Sequence, residues 1–312
     1  MKKDSLLNIY DDKYAEAYDQ KFLTDGFSKV SSDYELDILK RLINKDSMWL
    51  DAGCGTGYFL SKFPGYNRAG LDISPGMLKE AKKRNPDALL FKEADFRIDI
   101  PEWREKWSVI TSMWNPYSYL DSMGEFETMI SNFIRWTQPG GNIFIPIADL
   151  EDLSPSLPLV PYERNLESIY AGTIYLTSYT WTWIEKDGDN RHINMIAPHI
   201  EHVVHLMAPF FETIEIVRYP PPFDGWVSRK AVLAKNKLSS SVENSNEAKI
   251  IRHEIPPSLY GPYGSHSSTE ASQENTQDDD PLAAVSHRQL ISELSKRLKN
   301  GQLAKSLIRK LL

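Results

Sequence analysis

The sequence predicts a doubly wound α/β sheet, and three observations carry that reading. Short apolar runs alternate with helix-patterned segments from residue 48 to residue 147. The first run, Met48 to Leu50, closes at Asp51 and opens into Gly53, Gly55 and Gly57 at every second position. Two later runs also end in acids, at Asp72 and Asp95. Glycines between a strand and a helix permit a tight turn and let backbone N–H groups approach a ligand closely. Asp72 lies 21 residues after Asp51, where nucleotide-binding sheets place a carboxylate for ribose hydroxyls. Thr56 is followed at once by Gly57, which departs from the Gly-x-Gly-x-x-Gly pattern of hydride-transfer enzymes.

The elements follow in order. Aromatics at Tyr10, Tyr14, Tyr18 and Phe22 fall four apart, along one side of a helix, and Tyr14, Tyr18 and Phe22 read as a face docked on the core. Ser31 or Ser32 caps a helix running to about Ile43. The glycine loop is followed by an apolar, helix-compatible stretch, Tyr58 to Phe63. Gly70 to Ile73 is the second strand, and Ser74-Pro75 opens the helix after it. Phe91 to Phe96 gives the third strand end and Trp107 to Met113 the fourth strand. A helix from about Glu125 to Trp136 ends at Pro139-Gly140-Gly141, before a fifth strand from Asn142 to Ile147.

From Asp149 the pattern changes. Thr173 to Ile184 is rich in β-branched and aromatic residues, Asp187 to Asn190 supplies turn chemistry, and His192 to Ala197 returns. Tyr175, Trp181 and Trp183 alternate on one face of this insert, as core or as a platform for a sugar ring. Pro198 starts a helix to about Met207; strands follow at Phe211 to Tyr219 and Val227 to Ala234. His199, His202 and His205 lack the i, i+4 spacing of a helical metal site, and no metal is expected.

Composition sets bounds. Of 312 residues, 41% are hydrophobic, enough for a sizeable core, and the net charge of −7 argues against a nucleic-acid-coating protein. The single cysteine, Cys54, cannot form an internal disulfide and sits in the glycine loop as a small residue. No apolar run approaches a membrane span, and the N-terminus lacks a signal-peptide pattern, so a cytoplasmic protein is expected. Residues 237–281 are polar and expected to be disordered. Residues 286–312 hold seven Lys or Arg against one Glu, a charge of +6, with leucines at near-helical spacing. That pattern fits a basic amphipathic helix for an anionic membrane surface or a partner protein.

Asp-x-Gly-x-Gly-x-Gly at 51–57, the Asp72 acid and Ala94-Asp95-Phe96 together resemble the class I S-adenosylmethionine-dependent methyltransferases. The resemblance implies a Rossmann-like, doubly wound, seven-stranded sheet with an N-terminal helical lid. It also implies an antiparallel β insert after the fifth strand, and a last pair of strands forming a hairpin. S-adenosylmethionine is then the cofactor. By the same resemblance Gly53, Gly55 and Gly57 form its loop, Asp72 and Ile73 hold the ribose, and Asp95 and Phe96 meet the adenine. Asp51 orients the loop or the methionine ammonium, the Tyr10 hydroxyl bonds the methionine carboxylate, and Met113 lies beside the transferable methyl group.

Asn115-Pro116-Tyr117 approaches the Asn-Pro-Pro-Tyr motif of amino-group methyltransferases with one proline missing, which makes Asn115 and Tyr119 candidates for acceptor chemistry. Over residues 8–235 the chain looks most like the N,N-dimethyltransferases of nucleotide-linked amino sugars. Tyr119 stands where that group tends to carry histidine, and Pro146 where it ends a strand in glutamate. The expected organisation is a lid at 1–30 and a methyltransferase domain at 31–235 with a substrate-side insert at 149–197. A linker at 236–282 and a basic helix at 283–312 complete it. The expected acceptor is a small polar molecule, a sugar or nucleotide-linked amino sugar methylated on nitrogen or oxygen, and no nucleic-acid partner is expected. The competing readings are a non-catalytic cofactor-binding scaffold and a protein or nucleic-acid methyltransferase.

Overall fold

The computed structural model describes residues 9–24, 26–148, 162–165, 173–184, 191–221, 224, 228–239 and 248–259. All belong to one unit, Met1–His266; Ser267–Leu312 form another, and so the expected basic helix lies outside the described residues, as does the turn at 187–190.

Eight strands make the main sheet: β1 Trp49–Ala52, β2 Arg68–Asp72, β3 Leu90–Glu93, β4 Trp107–Thr111, β5 Thr137–Ile147, β10 Phe211–Arg218, β11 Lys230–Lys237 and β12 Lys249–Arg252. Their spatial order is β12-β10-β11-β5-β4-β1-β2-β3. β11 runs antiparallel to both its neighbours, and the other pairings are parallel. The chain winds one way from β1 through β2 and β3, then returns to β4 on β1's other side. That reversal opens a crevice at the carboxyl ends of β1 and β4, where α/β sheets bind ligands.

Alternate residues feed two cores. Leu50, Ile110 and Ile145 face one, with Phe126, Met129 and Phe133 of a helix at Met123–Trp136 and Val203 and Met207 of a helix at Ile200–Met207. Trp49, Val109 and Phe144 face the other, with Leu36 and Leu39 of a helix at Gly26–Leu42. Among the described residues the α-helices are, in chain order, α1 Asp12–Phe22, α2 Gly26–Leu42, α3 Pro75–Arg84, α4 Met123–Trp136 and α5 Ile200–Met207. Helices covering both sheet faces explain why these strands read as unbroken apolar runs.

Several expectations are corrected. The polar stretch 237–281 contains β12, whose Lys-Ile-Ile-Arg pairs with Thr213 to Ile216 and makes the sheet eight-stranded. Ser31 and Ser32 do not cap α2. The helix starts at Gly26, and Ser32 is buried inside it. Tyr58 to Phe63 yields a single 3₁₀ turn, Leu60–Lys62, which is stopped by Pro64-Gly65. Pro139-Gly140-Gly141 does not separate α4 from β5; the strand begins at Thr137 and absorbs the glycines at an irregular register beside Trp107 to Val109.

Among the described residues the insert has two antiparallel strand pairs. β6 Glu163–Asn165 pairs with β7 Thr173–Tyr175, and β8 Ser178–Ile184 pairs with β9 Arg191–Pro198. Tyr175 thus leaves the strand that carries Trp181 and Trp183. Pro198 ends β9, and the His199 side chain caps α5 by accepting from the Glu201 N–H.

Candidate functional site

Asp51 belongs to β1 and is 1% exposed. It accepts the Thr111 hydroxyl at 2.7 Å, and Thr111 in turn accepts the Trp49 indole N–H at 2.9 Å. Burial pushes its carboxyl up to about 7, against the pull of the Thr111 hydrogen bond. The chain then turns with φ of +80° at Gly53, +51° at Gly55 and +69° at Gly57, angles that favour glycine. A Cβ on Gly53 would meet the Pro116 ring at 2.4 Å, so loop and post-β4 turn interlock. A Cβ on Gly57 would meet Asn85 at 2.6 Å and Ala81 at 3.1 Å, so Gly57 serves the packing of α3 and does not line the cavity described below. Gly55 has nothing within 4 Å of that position and faces the cavity.

Asp72 ends β2. Its two oxygens accept the Gly55 N–H at 2.8 Å and the Ser74 N–H at 2.9 Å. Burial pushes this carboxyl up, while those backbone bonds pull it down. The Ile73 N–H also acts on this carboxylate, which keeps acceptor capacity for a hydroxyl donor. Asp95 is held by Arg97, whose guanidinium spans both its oxygens and reaches Glu125 at 2.7 Å. The sequence reading missed Arg97; its place two residues past a strand-end acid was the available signal. The Phe96 carbonyl is fixed by Asn132 at 2.8 Å, and its ring meets Phe133 edge-on.

A cavity of about 460 Å³ joins these groups. Tyr10, Gly53, Gly55, Asp72, Ile73, Asp95, Phe96, Met113, Asn115 and Tyr119 all border it, and so do Tyr14, Tyr18 and Phe22, which were read as core. Asp51 instead borders a small side cavity of about 30 Å³ with Cys54 and Thr56. Cys54 is buried, and burial pushes its thiol well up, as suits a loop residue and not a nucleophile. The volume, the open face at Gly55 and the remaining acceptor capacity of Asp72 fit an adenosine-bearing cofactor.

Beyond β4 the backbone is left-handed at Trp114 (φ +59°) and Asn115 (φ +57°), conformations that cost energy and gather at functional sites. The Asn115 amide oxygen lies 2.8 Å from the Tyr117 hydroxyl, which also reaches the Pro146 carbonyl at 2.9 Å. The Asn115 oxygen is therefore already engaged by a neighbour. Tyr119 sits in the 3₁₀ turn Pro116–Tyr119. Its hydroxyl is 2.5 Å from that of Tyr10 and 3.0 Å from Nδ1 of His192 on β9. The Tyr10 hydroxyl, expected at the methionine carboxylate, borders the cavity and is engaged there by Tyr119. His192 is fully buried and stacks on Trp183, centroids 4.7 Å apart at 18°. No sequence signal marked His192. Trp181 and Trp183 border the cavity, whereas Tyr175 is 52% exposed and packs on Tyr162. His202 is engaged by Glu127 at 2.8 Å and Tyr162 at 3.0 Å, and among the described residues no acidic, thiol or imidazole cluster could hold a metal.

Residues 50–141 match the family model described as a methyltransferase domain. The chain is 32% identical over 143 residues to a dTDP-3-amino-3,4,6-trideoxy-α-D-glucopyranose N,N-dimethyltransferase of Streptomyces venezuelae, covering 44% of this chain and 58% of the relative. A dTDP-3-amino-3,6-dideoxy-α-D-glucopyranose N,N-dimethyltransferase of Streptomyces fradiae is 29% identical over 140 residues, covering 44% and 53%. A malonyl-[acyl-carrier protein] O-methyltransferase of Buchnera aphidicola is 30% identical over 141 residues, covering 40% and 53%. The chain spans little more than half the length of these curated relatives.

Proposed function

We propose that this chain, whose residues 50–141 match a methyltransferase domain, is a class I S-adenosylmethionine-dependent methyltransferase that methylates the amino group of a nucleotide-linked sugar. S-adenosylmethionine supplies an electrophilic methyl group without any metal. What the chain must add is position, exclusion of water and an unprotonated acceptor. Gly55 and Asp72 would hold the ribose, and the Phe96 ring and the Arg97-braced Asp95 would border the base. Trp181, Trp183 and Tyr119 wall the other end with aromatic faces of the kind that stack on sugars.

The observation that carries this reading is one cavity of about 460 Å³ bordered both by Asp72 and by Tyr119. Two of the relatives above act on dTDP-linked amino sugars, which supports an amine, and the O-methyltransferase match keeps a hydroxyl as the second reading. We further infer that residues 286–312, by their charge, dock on an anionic surface; no helix among the described residues is long and apolar enough to cross a membrane.

The test is to incubate the protein with S-adenosylmethionine bearing a deuterated methyl group and a panel of dTDP-amino and dTDP-hydroxy sugars. Mass spectrometry should find one or two labelled methyl groups on the amino sugars. Label on hydroxy sugars alone would favour the second reading, and none on either would overturn both.

A further inference from the structure

Transfer of a methyl group to a neutral amine leaves an ammonium, and its surplus proton must go somewhere before a second transfer at the same nitrogen. The cavity contains a hydrogen-bonded row suited to that need. Tyr10 precedes α1, Tyr119 follows β4 and His192 lies on β9, yet their polar atoms are 2.5 and 3.0 Å apart in sequence Tyr10–Tyr119–His192. Burial pushes the Tyr10 hydroxyl well above its ordinary range, with the neighbouring Tyr119 adding to it. Either hydroxyl of the Tyr10–Tyr119 pair can donate, and in the arrangement a relay needs Tyr10 donates to the Tyr119 oxygen. Tyr119 in turn donates to His192 Nδ1 when the ring carries its proton on Nε2. Stacking on Trp183 holds the ring in that orientation.

Resting on the amine reading above, we propose that His192 stores the proton released by methyl transfer and acts through Tyr119. The acceptor nitrogen's lone pair forms the N–CH₃ bond, and the electron pair of the broken S–CH₃ bond stays on sulfur. The ammonium proton passes to the Tyr119 oxygen as the Tyr119 proton passes to Nδ1. The products are a neutral methylated amine and an imidazolium, which returns its proton to water between rounds. His192 is a positioning residue by this account, because it acts through Tyr119 and does not itself border the cavity. The titratable and charged groups that act on the hydroxyls of this row and of neighbouring Tyr18 include Tyr14, Tyr18, Asp19 and Asp72, with exposed Arg191 next to His192 on β9.

Two measurements decide it. In ¹⁵N-histidine NMR of the protein saturated with S-adenosylhomocysteine, His192 should be neutral at pH 8 with Nε2 protonated, and Tyr119→Phe should shift its Nδ1 resonance. A neutral ring with the proton on Nδ1, or an Nδ1 resonance indifferent to Tyr119→Phe, overturns the proposal. In steady-state assays with the amino-sugar acceptor, His192→Asn retains an oxygen near the Nδ1 position but cannot store a proton. It should lower kcat at least tenfold and abolish the acidic limb of the kcat–pH profile, with cofactor-product affinity by calorimetry within twofold. An unchanged kcat and limb in a variant that binds normally would refute the relay alone. Absence of transfer to any amine by the wild-type protein, with the nitrogen shifts as expected, would refute the amine reading and this proposal with it.

Discussion

The Thr56 hydroxyl donates to the Asp19 carboxylate at 2.5 Å, tying the first helix to the glycine loop. Arg84 on α3 completes the tie, pairing with Asp19 and donating to the Thr56 carbonyl at 3.2 Å. Asp12 pairs with Lys79, and the Ser74 hydroxyl donates to the Tyr10 carbonyl at 2.8 Å. The helix that roofs the cavity is thus anchored to the cofactor-side loops. Asp19→Ala should weaken S-adenosylhomocysteine binding by about tenfold, the worth of one charge-assisted hydrogen bond, with little change in Tm. Titration calorimetry beside a thermal melt checks this; a lower Tm with intact affinity would make the tie purely structural.

Asp72→Ala removes the carboxylate that orders Gly55 and Ser74 and that keeps acceptor capacity for ribose hydroxyls. Affinity for S-adenosylmethionine should fall at least tenfold, since hydrogen bonds to a charged group contribute about 1.5–3 kcal/mol each. Calorimetry showing the wild-type affinity would remove Asp72 from the cofactor site.

The glycines of the loop should separate by phenotype. Gly57→Ala forces a methyl group within 2.6 Å of Asn85 at a φ of +69°, and should cost about 2 kcal/mol or more, visible as a Tm lower by several degrees. Gly55→Ala meets no atom within 4 Å and should spare more of the stability while cutting cofactor affinity. Equal melting temperatures for the two variants would contradict this division.

Glu35 predicts a pH dependence of stability. It is 2% exposed, and burial raises its carboxyl from 4.5 to about 8, against the opposing pull of Arg229 and of the Tyr219 hydroxyl at 3.0 Å. A carboxyl that holds its proton longer in the fold than in the unfolded chain stabilises most below about 4.5, and that stability is lost as pH rises through about 8. Glu35→Gln keeps an oxygen for Tyr219 and removes the titration. Its urea midpoint should match the wild type near pH 4.5 and exceed it near pH 8. Parallel curves over that range would show that Glu35 ionises in the fold as freely as in the unfolded chain.

The basic segment gives a test outside the fold. Deleting residues 283–312 should abolish co-sedimentation with vesicles containing phosphatidylserine and leave Tm unchanged, and salt should weaken binding of the full chain. A full-length protein that ignores the vesicles, with a deletion that melts several degrees lower, would assign the segment to the fold.

The glycine-loop end of the cavity was legible in the sequence because its constraints are local. A strand, a glycine turn and strand-end acids must each adopt one geometry within a few residues, and Gly53, Gly55 and Asp72 border the cavity as that logic requires. Gly57 has the same spacing but answers to α3, a contact made 24 and 28 residues away at Ala81 and Asn85. The Tyr119 end was less legible. His192 meets Tyr119 across 73 residues and depends on an insert whose path no local pattern fixes. β12 is hidden for a related reason: four residues among polar neighbours become a strand only because β10 offers an unpaired edge.

The ring row on the first helix has a consequence for how this segment can vary. Tyr14, Tyr18 and Phe22 succeed one another at one helical turn, with centroids 6.1 and 5.0 Å apart, and Phe22 meets Trp183 of the insert edge-on. One inserted residue would rotate everything on its far side by about 100° and advance it by about 1.5 Å. The rings would leave the cavity wall while every hydrogen bond of the helix stayed intact. Substitutions within the row exchange one wall surface for another, whereas a change of length dismantles the wall, so Asp12–Phe22 should tolerate altered residues far better than altered spacing.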